Sequence, residues 1–230
     1  MISLVVVAVA GYLIGSIPFG LLIARWVAGV DLRTVGSGNI GATNVTRVVG
    51  KKWGAVALAL DAGKGAIPSG ALPILTGVAA GELLHASVLG GVAAILGHMF
   101  SPWLGFRGGK GVATAMGVVI VLAPIGFLAA LATFVLLLAI TRIVSVGSIG
   151  AALSFAVTQW FLLQPHFWSE SRWSLGAFSL GVPALIIFQH RSNIRRLLRG
   201  EEHAFRKKSP ATTEDAPVIT SASQAATEEA

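Results

Sequence analysis

The apolar and polar positions of the chain alternate on a long scale. Seven apolar runs, about residues 3–28, 53–81, 86–104, 112–123, 125–141, 143–163 and 173–189, are separated by short polar segments. Most of them approach the ~20 residues with which an α-helix crosses the hydrocarbon core of a bilayer, so the pattern predicts seven helices. Hydropathy alone would allow one helix from 112 to 141, but Pro124 lacks a backbone donor and Gly126 follows it, which predicts two shorter helices. A piece as short as 112–123 rises only ~18 Å and reads as a half-helix. Gly15 and Pro18 predict a kink in the first run, and with no basic residue in its opening part and Arg25 at its far end it does not read as a cleavable leader.

Composition makes the setting plain. The chain is 54% hydrophobic and 12% charged with mean hydropathy +0.78, too apolar for a soluble domain of 230 residues. The fold class expected is all-α, a polytopic membrane protein of about seven transmembrane helices that includes short or broken ones. The absence of Cys excludes thiolate catalysis and disulfides. Five His occur without an HExxH motif or an i, i+4 pair, so neither a metal site nor a cofactor is expected.

Charge sets an orientation. With seven helices and the N-terminus outside, all the Lys and Arg except Arg172 and the intramembrane Lys64 fall on one face, which the positive-inside rule makes cytoplasmic. Residues 1–208 read as the membrane domain. Past it, 209–230 turn to Ala, Thr, Ser and Glu without periodicity and read as a disordered cytoplasmic tail.

Three segments on that face carry more polar chemistry than topology requires. In "GSGNIGATNVTRVVGKKWG", residues 36–54, Ser37, Asn39, Thr43, Asn44 and Arg47 stand among glycines, a mixture of hydroxyls, amides and a cation that suits a phosphate monoester, though it also suits a solvated loop. In "LGFRGGKGVAT", residues 104–114, Gly108, Gly109 and Gly111 permit close backbone approach to a ligand. A helix starting near Val112 aims its dipole there, and Lys110 adds a full charge. The spacing is not that of a nucleotide P-loop, because Leu104 and Gly111 occupy the places of the required Gly and Ser or Thr. In "FQHRSNIRRLLRGEEHAF", residues 188–205, His190 and Asn193 share a helical face, whereas Arg195, Arg196 and Arg199 suit anionic headgroups. Lys64 has Asp61 three residues before it, which reads equally as a structural pair or a substrate contact.

These residues resemble the bacterial integral-membrane acyl-phosphate:glycerol-3-phosphate acyltransferases, the PlsY family. The likeness lies in "GSGNIGATNVTR" (36–47), "GHMFSPWLGFRGGKGVAT" (97–114) and "HRSNIRRLLRGEE" (190–202). "GYLIGSIPFG", "DAGKGA" and "TRIVSVGSI" support it, and it covers everything but the tail.

The resemblance implies transfer of a fatty acyl group from acyl phosphate to the 1-hydroxyl of sn-glycerol 3-phosphate, giving lysophosphatidic acid and phosphate, in the bacterial inner membrane. Its implied partners are the two substrates and membrane lipid, with no nucleic acid and no obligate protein partner. No HxxxxD arrangement follows any His, in keeping with a CoA-independent reaction. The candidate catalytic residues are Lys110, His190, Asn193 and Ser37. The candidate substrate contacts are Asn39, Thr43, Asn44, Arg47, Lys64, His98, Gly108, Gly109, Gly111, Thr114, Ser145 and Arg191. His190, His98 and the departing phosphate are the candidate bases. A transporter or flippase for a phosphorylated anion is the alternative; it would call for an internal repeat and polar residues strung through several spans, neither of which the sequence shows.

Overall fold

A computed structural model describes residues 1–202 and 204; the expected tail and the cations Arg206, Lys207 and Lys208 lie outside the described residues. The described chain is helical throughout. Its elements are α1 (Ile2–Ser16), α2 (Phe19–Ala28), α3 (Ala42–Val48), α4 (Lys51–Leu75), α5 (Leu83–Met99), α6 (Val112–Leu122), α7 (Pro124–Thr141), α8 (Val144–Leu163), α9 (Trp173–Gln189) and α10 (Arg191–Leu198). Every apolar run is helical, and the division at Pro124 is where the missing N–H puts it.

By length and composition, four stretches suffice to cross a bilayer: Ile2–Ala28, Ala80–Leu104, Pro124–Thr141 and Val144–Leu163. A fifth follows if α9 is counted with α10 across a 56° bend. That is fewer than the seven runs, for two physical reasons. Helix α6 has only 11 residues, and α4, at 25 residues, carries Asp61 and Lys64 in its middle.

The break between α1 and α2 has a use. Pro18 cannot continue the helical ladder, Ile17 adopts extended backbone, and the Ile17 carbonyl is left to accept from Lys64 Nζ at 2.7 Å. Lys64 also pairs with Asp61 at 2.7 Å, both side chains about 2% exposed, so one buried ion pair ties α4 to the kink. Ser16 beside the break accepts from Ser101 through its carbonyl (2.7 Å) and from Trp103 Nε1 through its hydroxyl (2.8 Å). The turn that follows α5 is thereby held against α1.

Apolar side chains gain little from leaving lipid for a helix interface, so small residues let backbones touch instead. A methyl group added at Gly15 would overlap the backbone of Ala94, one at Gly90 that of Pro68, and one at Gly65 that of Thr114. These seams join α1, α4, α5 and α6. Helix α7 lies outside them, with Gly126 its one buried residue. Around Phe155 and Phe178, α5, α6, α8 and α9 close a second core.

Candidate active site

The first polar segment folds on Asn44, which is fully buried. Its Nδ2 lies 3.2, 3.0 and 2.9 Å from the carbonyls of Leu32, Val35 and Asn39, and its Oδ1 accepts the Ser37 N–H at 2.9 Å. That amide is committed to the loop and has no donor left for a substrate, contrary to its expected role. Asn39 turns the chain by accepting the Gly41 N–H at 2.9 Å. What Asn44 holds in place is a rim of Ser37, Asn39, Thr43 and Arg47 on the wall of a cavity of about 310 Å³.

The glycine segment also departs from expectation. Gly105 and Phe106 adopt left-handed backbone and fold the chain back, so that the Gly108 N–H donates to Met99 O (2.9 Å) and the Gly109 N–H to His98 O (3.1 Å). Those two amides therefore bind the end of α5 rather than a ligand. Their glycines are needed because a side chain at 108 would strike the His98 carbonyl and one at 109 the imidazole of His98. The N–H groups left over are those of the first turn of α6, which have no partner within the helix. Gly111, Val112 and Ala113 from this turn line the cavity beside Lys110.

The third segment closes the site. His190 caps α9 and is 2% exposed. Its Nδ1 lies 2.8 Å from the Ile186 carbonyl, which can only accept; the proton is therefore on Nδ1, and Nε2 is free to accept another. Asn193, one turn on, accepts from the ammonium of Lys110 through Oδ1. Through Nδ2 it donates to Glu202 Oε1 at 2.5 Å. The same oxygen accepts from Ser145 at 2.9 Å, while Glu202 Oε2 pairs with Arg196 Nε at 2.6 Å. One carboxylate thus fixes three side chains drawn from α8 and α10. Burial would raise the Glu202 carboxyl, but the hydrogen bonds from Asn193, Arg196 and Ser145 outweigh it and hold the group below its ordinary range. Burial pushes the Lys110 ammonium, in the loop between α5 and α6, down from 10.5 to about 8, opposed by the charge of Glu202.

Ser37, Asn39, Thr43, Asn44, Arg47, His98, Lys110, Gly111, Ser145, His190 and Asn193 come together around this cavity. Five predicted residues do not. Lys64 is engaged by Asp61 and Ile17. Gly108 and Gly109 support the loop from behind, and Thr114 is buried with its hydroxyl lacking a hydrogen-bond partner. Arg191 lies over the ring of Phe188, 4.7 Å from its centre, and donates to the Phe188 carbonyl and the Gln189 side chain. Sequence reasoning missed Glu202 and Arg196 as members of the site. Two acids directly after a run of arginines, at 201 and 202, were the available signal. Leu58, Val112, Ala113, Phe134 and Ser148 form a further wall, shared with an apolar cavity of about 240 Å³ that continues between α6, α7, α8 and α9.

A protein-family model described as glycerol-3-phosphate acyltransferase matches residues 5–200. The chain belongs to the glycerol-3-phosphate acyltransferase family. A glycerol-3-phosphate acyltransferase of Anaeromyxobacter sp. (strain Fw109-5) is 49% identical over 208 residues, covering 90% of this chain and 98% of the relative. That of Myxococcus xanthus (strain DK1622) is 47% identical over 195 residues, covering 85% and 96%. The fold matches a crystal structure of PlsY (YgiH), an integral membrane glycerol 3-phosphate acyltransferase in its glycerol 3-phosphate form, with TM-score 0.78 and 40% identity over 89% of this chain and 96% of that one. The lysophosphatidic acid form of PlsY matches with TM-score 0.75 and 37% identity over the same shares. This acyltransferase is accordingly an integral membrane protein, and its polar cavity is the place in the fold where cations, hydroxyls and a free imidazole nitrogen converge.

Proposed function

We propose that this membrane glycerol-3-phosphate acyltransferase takes its acyl group from an acyl phosphate and passes it to the 1-hydroxyl of glycerol 3-phosphate, on the cytoplasmic face of a bacterial inner membrane. The observation that carries the reading is the shared wall. A cavity lined by Arg47, Lys110 and Arg196 shares Leu58, Val112 and Phe134 with an adjoining one bounded by apolar side chains. Such a pair suits a donor with a phosphoryl group at one end and a hydrocarbon chain at the other. The two forms in which PlsY was crystallised, with glycerol 3-phosphate and with lysophosphatidic acid, suit an acceptor and a product of the same reaction.

In this mechanism the glycerol hydroxyl oxygen forms a bond to the acyl carbonyl carbon, and the bond from that carbon to the phosphate oxygen breaks, the pair of electrons leaving with phosphate. The hydroxyl proton passes to His190 Nε2, the nitrogen its hydrogen bond to Ile186 leaves unprotonated. Lys110, held by Asn193, neutralises charge on the phosphoryl group and the developing oxyanion, together with first-turn N–H groups of α6. Arg47, Ser37 and Thr43 orient the acceptor, which lends the reaction the advantage of a fixed approach. A mixed anhydride already carries a good leaving group, so no covalent enzyme intermediate is required.

The test uses purified protein in detergent with EDTA present. Palmitoyl phosphate plus glycerol 3-phosphate should yield equal amounts of phosphate and lysophosphatidic acid, with neither formed when the acceptor is omitted, and palmitoyl-CoA should be inert. Turnover of palmitoyl-CoA, or movement of glycerol phosphate across sealed vesicles without product, would sink the reading.

A further inference from the structure

Resting on the acyl-phosphate reading, the apolar cavity raises a question of length. Along α8 it runs from Ser148, at the polar site, to Phe155, and along α7 from Phe134 to Phe127. Seven residues of helix rise about 10 Å. At roughly 1.25 Å per carbon, from C–C bonds of about 1.5 Å, that depth holds about eight carbons. An acyl chain that fills one leaflet of a ~30 Å hydrocarbon core needs about 15 Å. The remainder of such a chain has to go elsewhere.

A pair of aromatic rings stands at the deep end of the cavity. Phe155 (4% exposed) packs edge-on against Phe178 (3% exposed), with centroids 6.1 Å apart and planes at 89°. Phe155 belongs to the first cavity, Phe178 to a second apolar groove of about 470 Å³ between α1, α5 and α9, and Val182 borders both. The two spaces therefore meet at Val182 and at this pair of rings. The second groove continues along α9 from Phe178 to Ser174, ending where Ser174 Oγ lies 2.6 Å from His85 Nδ1. Four further residues of helix add ~6 Å, which brings the combined depth to about 16 Å and matches one leaflet.

We propose that the Phe155–Phe178 pair is a gate in the acyl path, and that the distal part of a long acyl chain passes it and lies in the groove between α1, α5 and α9. Short donors stop before the gate, and long donors displace it. The pair and the groove behind it then set chain-length preference, while the first cavity serves all donors alike.

Gly181 supplies the decisive probe. It lines the second groove at an exposed position, and a Cβ built on it meets nothing within 4 Å, so a larger side chain can be placed at the groove there without a clash. With octanoyl, dodecanoyl and palmitoyl phosphate and saturating glycerol 3-phosphate, Gly181→Phe should leave kcat/KM for octanoyl phosphate within twofold of the parent and lower that for palmitoyl phosphate at least tenfold. Phe155→Ala, which joins the two spaces, should raise the palmitoyl-to-octanoyl ratio. Equal effects at all lengths, or a palmitoyl rate untouched by Gly181→Phe, overturn the gate and send the distal chain directly into lipid. Because octanoyl phosphate reports on donor chemistry alone, failure of the gate is separable from failure of the acyl-phosphate reading, which would leave every length inert. A thermal melt in the same detergent checks that each variant is folded; if Phe155→Ala does not fold, Gly181→Phe decides alone.

Discussion

Lys110 and Asn193 stand 83 residues apart in the chain, one in the loop before α6 and the other in α10, and the ammonium of the first donates to the side-chain carbonyl of the second. The contact joins the glycine loop to the final helix across the mouth of the cavity. It also keeps a long, flexible cation pointed inward before any phosphate arrives, so the orientation is in place before binding.

Replacing Lys110 by Ala removes both the charge and this link. A hydrogen bond to a charged group is worth ~1.5–3 kcal/mol, so kcat/KM should fall roughly 10- to 150-fold. Lys110→Arg should restore little, since a planar guanidinium cannot take the place of a compact ammonium in that loop. The fall in initial rate of phosphate release, measured on protein with an unchanged melting temperature, checks this; a near-normal rate removes Lys110 from the mechanism.

Activity and stability should move in opposite directions above neutral pH. Burial holds Lys110 at about 8 rather than 10.5, so the free enzyme loses this cation as pH rises through about 8, and kcat/KM should decline there. Bound phosphate favours the charged form, so the decline in kcat should lie at higher pH. For folding the sign is reversed: between about 8 and 10.5 the unfolded chain binds more protons at this residue than the folded one, so its contribution to stability rises with pH across that window. A kcat/KM profile that is flat from pH 7 to 9.5 would contradict the assignment.

Glu202→Gln keeps the shape of the hub and removes its charge. Asn193, Ser145 and Arg196 keep one neutral accepting oxygen in place of two charged ones, and the expected result is a drop in kcat of roughly tenfold or more, from the ~1.5–3 kcal/mol of a charged hydrogen bond. The octanoyl-to-palmitoyl ratio should stay fixed, because the acyl path is untouched. An unchanged kcat would mean that the hub does not position the site.

Asn44→Ala should act through the loop. Its two N–H groups are shared among three nearby carbonyls and its oxygen accepts one N–H, so removal leaves buried groups unpaired at ~1–3 kcal/mol each. Raised KM for glycerol 3-phosphate together with faster proteolysis between residues 32 and 44 is the expected pair of results. A raised KM without faster proteolysis would instead favour direct contact with the substrate.

Orientation is tested by single cysteines in this naturally Cys-free chain. Positions 37, 107, 145 and 193 should label from the cytoplasmic side of intact cells or oriented vesicles, and 168 from outside. Labelling of 145 from outside, with 107 and 193 inside, would make α6 and α7 together a single crossing.

What could be read before folding was local. Pro124 and Pro18 break helices by lacking an N–H, and Gly111 starts one, so these boundaries follow from residue type. The polar residues of the three segments were also visible as departures from an apolar background. Roles that depend on a distant partner were not legible. Asn44 looks like a ligand group until Leu32 and Val35 are brought to it, and Gly108 and Gly109 look like a phosphate cradle until the end of α5 takes their N–H groups. Glu202 was given no role beside arginines suited to anionic headgroups, and its bond to Ser145 is what places it in the site. Lys64 was open between two readings, and its partners in the fold, Asp61 and the Ile17 carbonyl, favour the structural one.

The contacts of Gly15, Gly65 and Gly90 with neighbouring backbone bear on how such an enzyme lives in the material it manufactures. An assembly held by expulsion of oily side chains from its solvent would weaken or tighten as that solvent changed. Backbones fitted against one another take no such cue, because their attraction is set by shape and distance. A cell can therefore alter the fatty acids of its membrane with season or diet, and the framework that carries this chemistry keeps its form while the fluid around it is remade by its own output.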